Sequence, residues 1–371
     1  MFLGFGVTAP DHITKAIWWK YELPKIDSLG YNTPRMSKTY LVTGGAGFIG
    51  SHIAQALLAR GDRVRILDNL STGRKENIPK GAQFVKASIT DSKAIKKAFK
   101  DIHGVFHCAA LPRVQVSIER PLETNEINIT GTLNVVLAAR EAGVKRIVYS
   151  ASSSAYGDQN RLPLYEAMKP NPKSPYGLQK YVGEHYMRLA SMFYGLETVS
   201  LRYFNVFGPR MAFEGAYVTV IAIFLRQRAE GNPLTITSDG TQTRDFTYID
   251  DVVAANLAAM ESENIGKGEV INIGAGSNHS VNEVAKAFEW KTTNIPPRVE
   301  PHDTLADRNL AKKLLDWEPR TEFFEGLKNT MLWFKTLASA AYEKNYARGR
   351  RPAKLRQDRA PAGRAREGQK V

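Results

Sequence analysis

The amino-acid sequence predicts an α/β chain, a doubly wound parallel sheet followed by a smaller mixed α/β C-terminal lobe for substrate. Three observations predict it. Short apolar runs alternate with helically spaced stretches from residue 39 to 150, without internal repeats. The first run, Tyr40-Leu41-Val42, meets glycines at 44, 47 and 50 and then an apolar-periodic stretch, 51–60. The second run, Arg63–Asp68, ends in an acid 21 positions after Gly47.

Strand, glycine turn and helix form the phosphate cradle of a Rossmann-like sheet. Gly44 makes the tight turn, Gly47 lets a pyrophosphate approach the backbone, and Gly50 lets helix and strand pack closely. The helix N-terminus, with Phe48 and Ile49 in its first turn, offers N–H groups and a positive dipole end to phosphate. Gly61 ends the helix. Asp68 stands where a carboxylate accepts from ribose hydroxyls and would repel a 2′-phosphate, so the cofactor expected is NAD. Arg63 and Arg65 lie inside the strand and Arg74 follows the loop, which leaves that preference intact.

The other elements follow in order. Asn69–Gly73, with Ser71 and Thr72, is a turn-rich loop placed for the adenosine. Residues 83–86 form a third strand, 94–99 a helix fragment, 104–110 a fourth strand, 128–140 a long helix and 145–150 a fifth strand. Ligands bind off the carboxyl ends of such strands, so the loops after 43, 68, 110 and 150 should ring one site. The domain plan is an extension at 1–36, an NAD-binding domain at 37–205 with 241–260 returning to it, a substrate lobe at 206–341 and a basic tail at 342–371. That lobe is expected to hold a strand at 270–273, a helix at 281–288 and a last helix near 326–341. Met36 would make a natural start, and residues 1–35 lack the pattern of a signal peptide.

Bulk composition narrows the class. At 371 residues, 43% apolar and mean hydropathy −0.32, the chain is an ordinary globular protein with no run long enough to cross a bilayer. One cysteine rules out an intrachain disulfide and suits a reducing, cytoplasmic setting. Cys108 lies in an apolar run and reads as a small buried hydrophobe. The seven histidines are scattered, so no metal site is expected. The net charge of +14 could suggest nucleic acid, but from Glu343 onward ten basic residues face three acidic ones. Half the excess therefore lies in one Pro- and Gly-containing tail, which reads as solvated and disordered.

Two clusters can do chemistry. Ser150–Gly157 ends the fifth strand, and Ser174–Lys180 opens a helix in which Tyr176 and Lys180, at i and i+4, share a face. Phenol at its ordinary pKa of about 10 is a poor base. A nearby ammonium and an oxidised nicotinamide would stabilise the phenolate, so Tyr176 could take a proton from a sugar hydroxyl while a serine opposite holds or relays it.

The combination of Thr43–His52, Asp68–Gly73, Asn128–Thr132, Tyr149–Gly157, Ser174–Lys180, Leu201–Arg210 and Asp239–Phe246 resembles the extended short-chain dehydrogenase/reductases, over roughly residues 38–335. Within them it is most similar to the UDP-hexose 4-epimerases. Ala110–Ser117 taken with Tyr149–Ser154 looks closest to their UDP-N-acetylglucosamine branch. The resemblance implies an isomerase with tightly held NAD. Tyr176 is then the base, Lys180 its partner and a nicotinamide-ribose ligand, and Ser152 the proton relay. Hydride leaves C4, the 4-keto sugar turns over, and hydride returns to the other face. Ser88, Ile89, Ala109, Ala110, Asn128 and Tyr203 are implied cofactor contacts. Arg113, Asn205, Thr219, Ile236, Arg244 and Thr304 are implied contacts of a UDP-sugar.

Arg244 also suits a diphosphate on its own chemistry, as a planar permanent charge; the competing role is a surface pair with Asp245. Thr304 stands where a small residue admits an N-acetyl group and tyrosine blocks it. Related 4,6-dehydratases carry an Asp-Glu pair where this chain has Ser153 and Ser154, so elimination lacks its acid and base. The chain departs from the pattern at Ala87-Ser88, where Gly-Asp is usual, and at the short 298–304 stretch, where Arg298 or Arg308 would have to grip the diphosphate. Two alternatives stand beside the 4-epimerase: a UDP-glucuronate 4-epimerase or decarboxylase using Arg113, and a non-catalytic NAD-binding protein with a degraded substrate site. A homodimer paired through helices 128–140 and 177–193 is implied by resemblance, with neither nucleic acid nor membrane as partner.

Overall fold

The computed structural model describes residues 36–112, 114–212, 219–297 and 301–347. The expectations for residues 1–35, for Arg113 and Arg298, and for the tail beyond 347 lie outside the described residues. The first strands form on short runs with apolar residues at their centres. They are β1 (Thr39–Thr43), β2 (Arg63–Asp68), β3 (Gln83–Lys86), β4 (Gly104–His107) and β5 (Arg146–Ser152). Two more, β6 (Glu197–Tyr203) and β9 (Lys267–Ile273), complete a seven-stranded parallel sheet in the order β3-β2-β1-β4-β5-β6-β9. Every residue of β4 is buried, as expected for a parallel sheet covered on both faces. The strand order reverses between β1 and β4, and their carboxyl ends, Thr43 and His107, sit side by side. That is where such sheets bind ligands.

Helices cover the faces: α1 (Phe48–Ala59), α2 (Ser92–Ala98), α3 (Val114–Glu119), α4 (Pro121–Asn125), α5 (Gly131–Glu141) and α6 (Pro175–Tyr194). The helix expected at 128–140 begins earlier. It runs from 121 to 141 with one π turn, Glu126–Thr130, which presents Asn128 to the loop after β4. The chain beyond 205 does not keep to one lobe. After α7 (Val220–Ala229), β7 (Leu234–Thr237) and β8 (Thr243–Asp245), α8 (Ile249–Glu261) packs on α1, and β9 joins the main sheet. The remaining elements are β10 (Asn278–Ser280), α9 (Val281–Ala287), β11 (Thr292–Ile295), α10 (Asn309–Leu315) and α11 (Phe323–Ala347). β8 and β10 form one two-stranded sheet, β7 and β11 another. Among the described residues no helix is long and apolar enough to cross a membrane, and no three His, Cys, Asp or Glu side chains are grouped to hold a metal.

Three buried titratable groups pull the pH response in two directions. His107, fully buried at the end of β4, lies 2.7 Å from Thr43 Oγ1 and 3.0 Å from Thr132 Oγ1, and burial pushes its pKa down to about 3. Between pH 6.5 and 3 the unfolded chain holds a proton that the folded chain refuses. The stability His107 contributes is therefore complete above pH 6.5 and lost as pH falls. Asp245 and Asp250, raised by burial to about 6, act oppositely: the folded chain holds the extra proton, and stability falls as pH rises through that window. A whole-protein curve mixes these signs, but a comparison separates them. His107→Gln should gain about 2–3 kcal/mol relative to wild type between pH 7 and pH 4.5, read by urea unfolding.

Candidate active site

The cavity over the carboxyl ends of β1, β2, β4 and β5 has a volume of about 790 Å³. Its floor is the glycine turn. Gly44 has φ +69°, and a Cβ there would lie 2.7 Å from Ala109 N; a Cβ on Gly50 would collide with Gly44 O. Only glycine lets α1 start this close to β4. Gly47 is the N-cap of α1, and no side chain caps it. Asp68 ends β2 nearly buried, its Oδ2 accepting from Ala46 N–H at 3.0 Å and its Oδ1 from Leu70 N–H at 2.8 Å. These bonds aim the carboxylate across the turn.

Of the expected cofactor residues, Gly44, Gly47, Phe48, Ile49, Gly50, Asp68, Asn69, Ser71, Thr72, Ser88, Ile89, Ala109, Ala110, Tyr176, Lys180 and Tyr203 line this cavity. Gly73 and Asn128 do not. Gly73 packs against the Asp68 carboxylate, which leaves no room there for a side chain. Asn128 is consumed by the chain: its Oδ1 accepts from Leu111 N–H at 2.8 Å, while its Nδ2 donates to Gln179 Oε1, also at 2.8 Å. It shapes the loop after β4 from behind.

The reactive end is set by α6. Ser174 caps this helix by accepting from Gly177 N–H at 3.1 Å, and Ser117 of α3, which sequence reasoning passed over, accepts from Tyr176 N–H at 3.0 Å. Further along, Gly183 lies so close to the Tyr149 ring of β5 that a Cβ would overlap it. The helix therefore crosses directly over the end of β5, and Tyr176, Lys180 and Ser152 meet in the cavity wall.

The electrostatics differ from the expectation. Lys180 Nζ donates to Ser150 O at 2.8 Å and sits over the Tyr149 ring, 4.9 Å from its centroid. Burial holds the lysine down to about 8. Tyr176 is pushed up to about 12, because its enclosed hydroxyl loses water; the facing Ser152 hydroxyl offsets only part of this. The expected help from Lys180 is not among the influences on Tyr176 in the chain alone, where desolvation dominates. Cys108, partly open to the cavity, is raised by burial to about 11 and receives a bond from Ser150 Oγ at 3.3 Å, so it is no nucleophile.

Asn205, Thr219, Arg244 and Thr304 line the far end of the same cavity. Asn205, at φ +26°, donates through Nδ2 to Asp245 O at 3.0 Å and Thr304 Oγ1 at 3.3 Å. Thr304 Oγ1 also accepts from Asp245 N–H at 3.2 Å. Asp245 turns its carboxylate to the N–H groups of Ala275, Gly276 and Ala306. Arg244 Nη1 donates to the carbonyls of Thr243 and His302, both at 2.8 Å. Ile236 is placed elsewhere, in a separate cleft beside Trp290. Arg308 packs against Gly276 and beside Asp245, outside the cavity lining.

With this geometry in hand, comparisons with known proteins agree. Residues 40–274 match the model of the NAD dependent epimerase/dehydratase family. The chain belongs to that family. A putative UDP-glucose 4-epimerase of Methanocaldococcus jannaschii is 42% identical over 304 residues, 80% of this chain and 98% of the relative. A UDP-glucose 4-epimerase of Thermotoga maritima, solved with UDP-glucose, is 38% identical with a TM-score of 0.78, covering 81% of this chain and 99% of that one. A UDP-N-acetylglucosamine 4-epimerase of Methanobrevibacter ruminantium, solved with UDP-N-acetylmuramic acid, is 34% identical with a TM-score of 0.77 and the same coverage.

The family's cofactor is NAD, and the residues present fit it. The uncapped N-terminus of α1 offers N–H groups to a pyrophosphate. The Gly44–Gly50 approach leaves the backbone bare, and Asp68 keeps lone pairs beyond the two it spends on Ala46 and Leu70.

Proposed function

We propose that the protein is a 4-epimerase of UDP-sugars, interconverting UDP-GlcNAc with UDP-GalNAc, UDP-glucose with UDP-galactose, or both. The observation that carries this is the meeting of Ser152, Tyr176 and Lys180 in one wall of the cavity whose floor is the glycine cradle. When bound, NAD supplies a hydride acceptor and a positive ring that favours the phenolate. The chain's own part is proton handling and grip. Tyr176 Oη takes the proton of the sugar's C4 hydroxyl and gives it back, and Lys180 holds a ribose hydroxyl. Asn205, Arg244 and Thr219 hold the UDP end, Arg244 by its charge. Ser153 and Ser154 offer no acid–base pair for loss of water, which favours epimerisation over dehydration. A homodimer is supported by Met192 and Phe193 of α6, 66% and 70% exposed.

N-acetylated sugars are favoured by Thr304, whose short side chain is tied to Asn205 and Asp245 at the cavity edge. Thr304→Tyr should lower kcat/KM for UDP-GlcNAc at least tenfold and leave UDP-glucose within a few-fold, since a wall filled by a ring excludes the acetamido group. The first experiment incubates purified protein without added NAD with UDP-GlcNAc, UDP-glucose or UDP-glucuronate and follows the C4 epimers by NMR. Formation of UDP-GalNAc or UDP-galactose supports the proposal. Turnover of UDP-glucuronate alone would replace it with that specificity. No turnover of any, even with NAD supplied, would overturn it.

A further inference from the structure

The chain leaves β6 at Tyr203 on the substrate side of the cavity, and its next short segment ends against α1. Asn205 opens the segment in the cavity lining. Phe207 then pins it to the start of α8, its N–H donating to Thr247 O at 3.0 Å and its carbonyl accepting from Ile249 N–H at 2.9 Å. The next two contacts are with α1. Pro209 O lies 3.0 Å from His52 Nε2, and a carbonyl only accepts, so that nitrogen carries the hydrogen. Arg210 Nη1 donates to Ser51 Oγ at 3.3 Å, and its Nη2 donates to Gln55 Oε1. Ser51 spends its own hydrogen on Phe48 O at 3.0 Å, which leaves a lone pair for the arginine. Ser51 and Gln55, at i and i+4, share one face of α1, and a guanidinium fork reaches both acceptors at once.

Two observations show that the side chain matters here. Arg210 holds φ +66°, where glycine would sit without strain, so the backbone turn alone does not call for arginine. Arg210 is also outside the cavity lining, whereas Phe48, Ile49 and Gly50 of the cradle and Asn205, Met211 and Ala212 of the segment all belong to it. The clamp therefore joins two walls of the cavity from behind. Asp250 of α8 supplies an opposite charge to the guanidinium.

We propose that Arg210 is a positioning residue for the UDP-sugar: by bridging Ser51 and Gln55 it fixes the Asn205–Ala212 wall against the helix that cradles the cofactor, and so sets the width of the site that receives the nucleotide. The inference rests on the reading of this cavity as a UDP-sugar site. Tyr176, Lys180 and Ser152 belong to α6 and β5, while the clamp's bonds go to α1. Releasing the clamp loosens the grip on UDP and leaves proton handling intact, a loss of binding common to substrate and transition state.

The test uses the NAD-loaded full chain. In Arg210→Met, which keeps the stem and loses the fork, KM for UDP-GlcNAc or UDP-glucose should rise about tenfold or more, with kcat within about threefold of wild type. Calorimetry with UDP itself should show the same loss of affinity. Arg210→Gly relaxes the left-handed turn while removing the clamp, and should raise KM as much as Arg210→Met does. Gln55→Leu, a change on α1 outside the cavity lining, should reproduce part of the rise. Gln55→Glu still offers an acceptor and should keep KM near that of wild type. Added to Arg210→Met, Gln55→Leu should raise KM no further. Co-purified NAD should be equal in all of them.

KM and UDP affinity within about threefold of wild type in both Arg210→Met and Gln55→Leu would overturn the inference. So would a fall in kcat at unchanged KM, or a Gln55→Glu as impaired as Gln55→Leu. Loss of NAD from Arg210→Met would overturn it too, by showing that the clamp holds the cradle instead of the wall. Should Arg210→Met fail to fold, the two Gln55 variants carry the same comparison. Turnover in the same samples separates the two readings. Weakened UDP binding without turnover of any UDP-sugar leaves the clamp standing and removes the epimerase; turnover with KM and UDP affinity unmoved removes the inference alone.

Discussion

Tyr176→Phe should lower kcat for epimerisation by about 10³-fold, within the roughly 10²–10⁴ that a positioned general base contributes. The ring stays, so the loss is confined to one oxygen. Burial holds the free phenol up at about 12, and only Ser152 offsets it. Its use as a base thus depends on the loaded site, and phenylalanine removes that function without disturbing the cradle at Gly44–Gly50. Co-purified NAD and the urea midpoint should both match wild type. An activity within tenfold of wild type would place the base elsewhere. A variant that also lost its cofactor would show that Tyr176 holds the fold of the site rather than the proton.

The second large effect is on stability. Arg202 of β6 and Glu184 of α6 form a two-pronged ion pair at 2.8 and 2.7 Å, and each side chain is only 3% exposed. The guanidinium also lies over the Tyr156 ring at 4.5 Å. Glu184→Ala would leave a permanent buried charge without its hydrogen-bonded carboxylate, at a cost of about 3–5 kcal/mol. That is a large part of the roughly 5–15 kcal/mol that separates folded from unfolded domains. Urea unfolding should show the loss. Arg202→Met with Glu184→Leu together should recover most of it, because no unpaired charge remains. If the single and double variants were equally destabilised, the pair would be acting through shape rather than charge.

This pair also marks where reading the sequence stops. β1 and β2 stand out because their apolar runs are short, bounded and followed by glycine or an acid. β6 carries Glu197 and Arg202 within seven residues and looks half-polar, although six of the seven are buried. Only the folded structure brings Glu184 opposite and makes that arginine a core residue. Asn128 shows the same limit from the other side. Its type and position suggest a ligand contact, but the π turn at Glu126–Thr130 commits its amide to Leu111 and Gln179.

By itself the sequence determined the parallel sheet, the phosphate cradle, the acid at position 68 and the Tyr176–Lys180 pair. Each depends on local spacing: a strand period, a glycine turn, or one turn of helix. Tertiary structure decided what crosses the chain. It brings Ser152 to Tyr176 from 24 positions away, turns Ser154 onto Ser152 Oγ, and sends Ile236 to a different cleft. It also raises Tyr176 when its neighbour Lys180 suggests lowering. Desolvation is the reason for that last reversal, and it depends on every atom packed around the hydroxyl, which no spacing along the chain encodes.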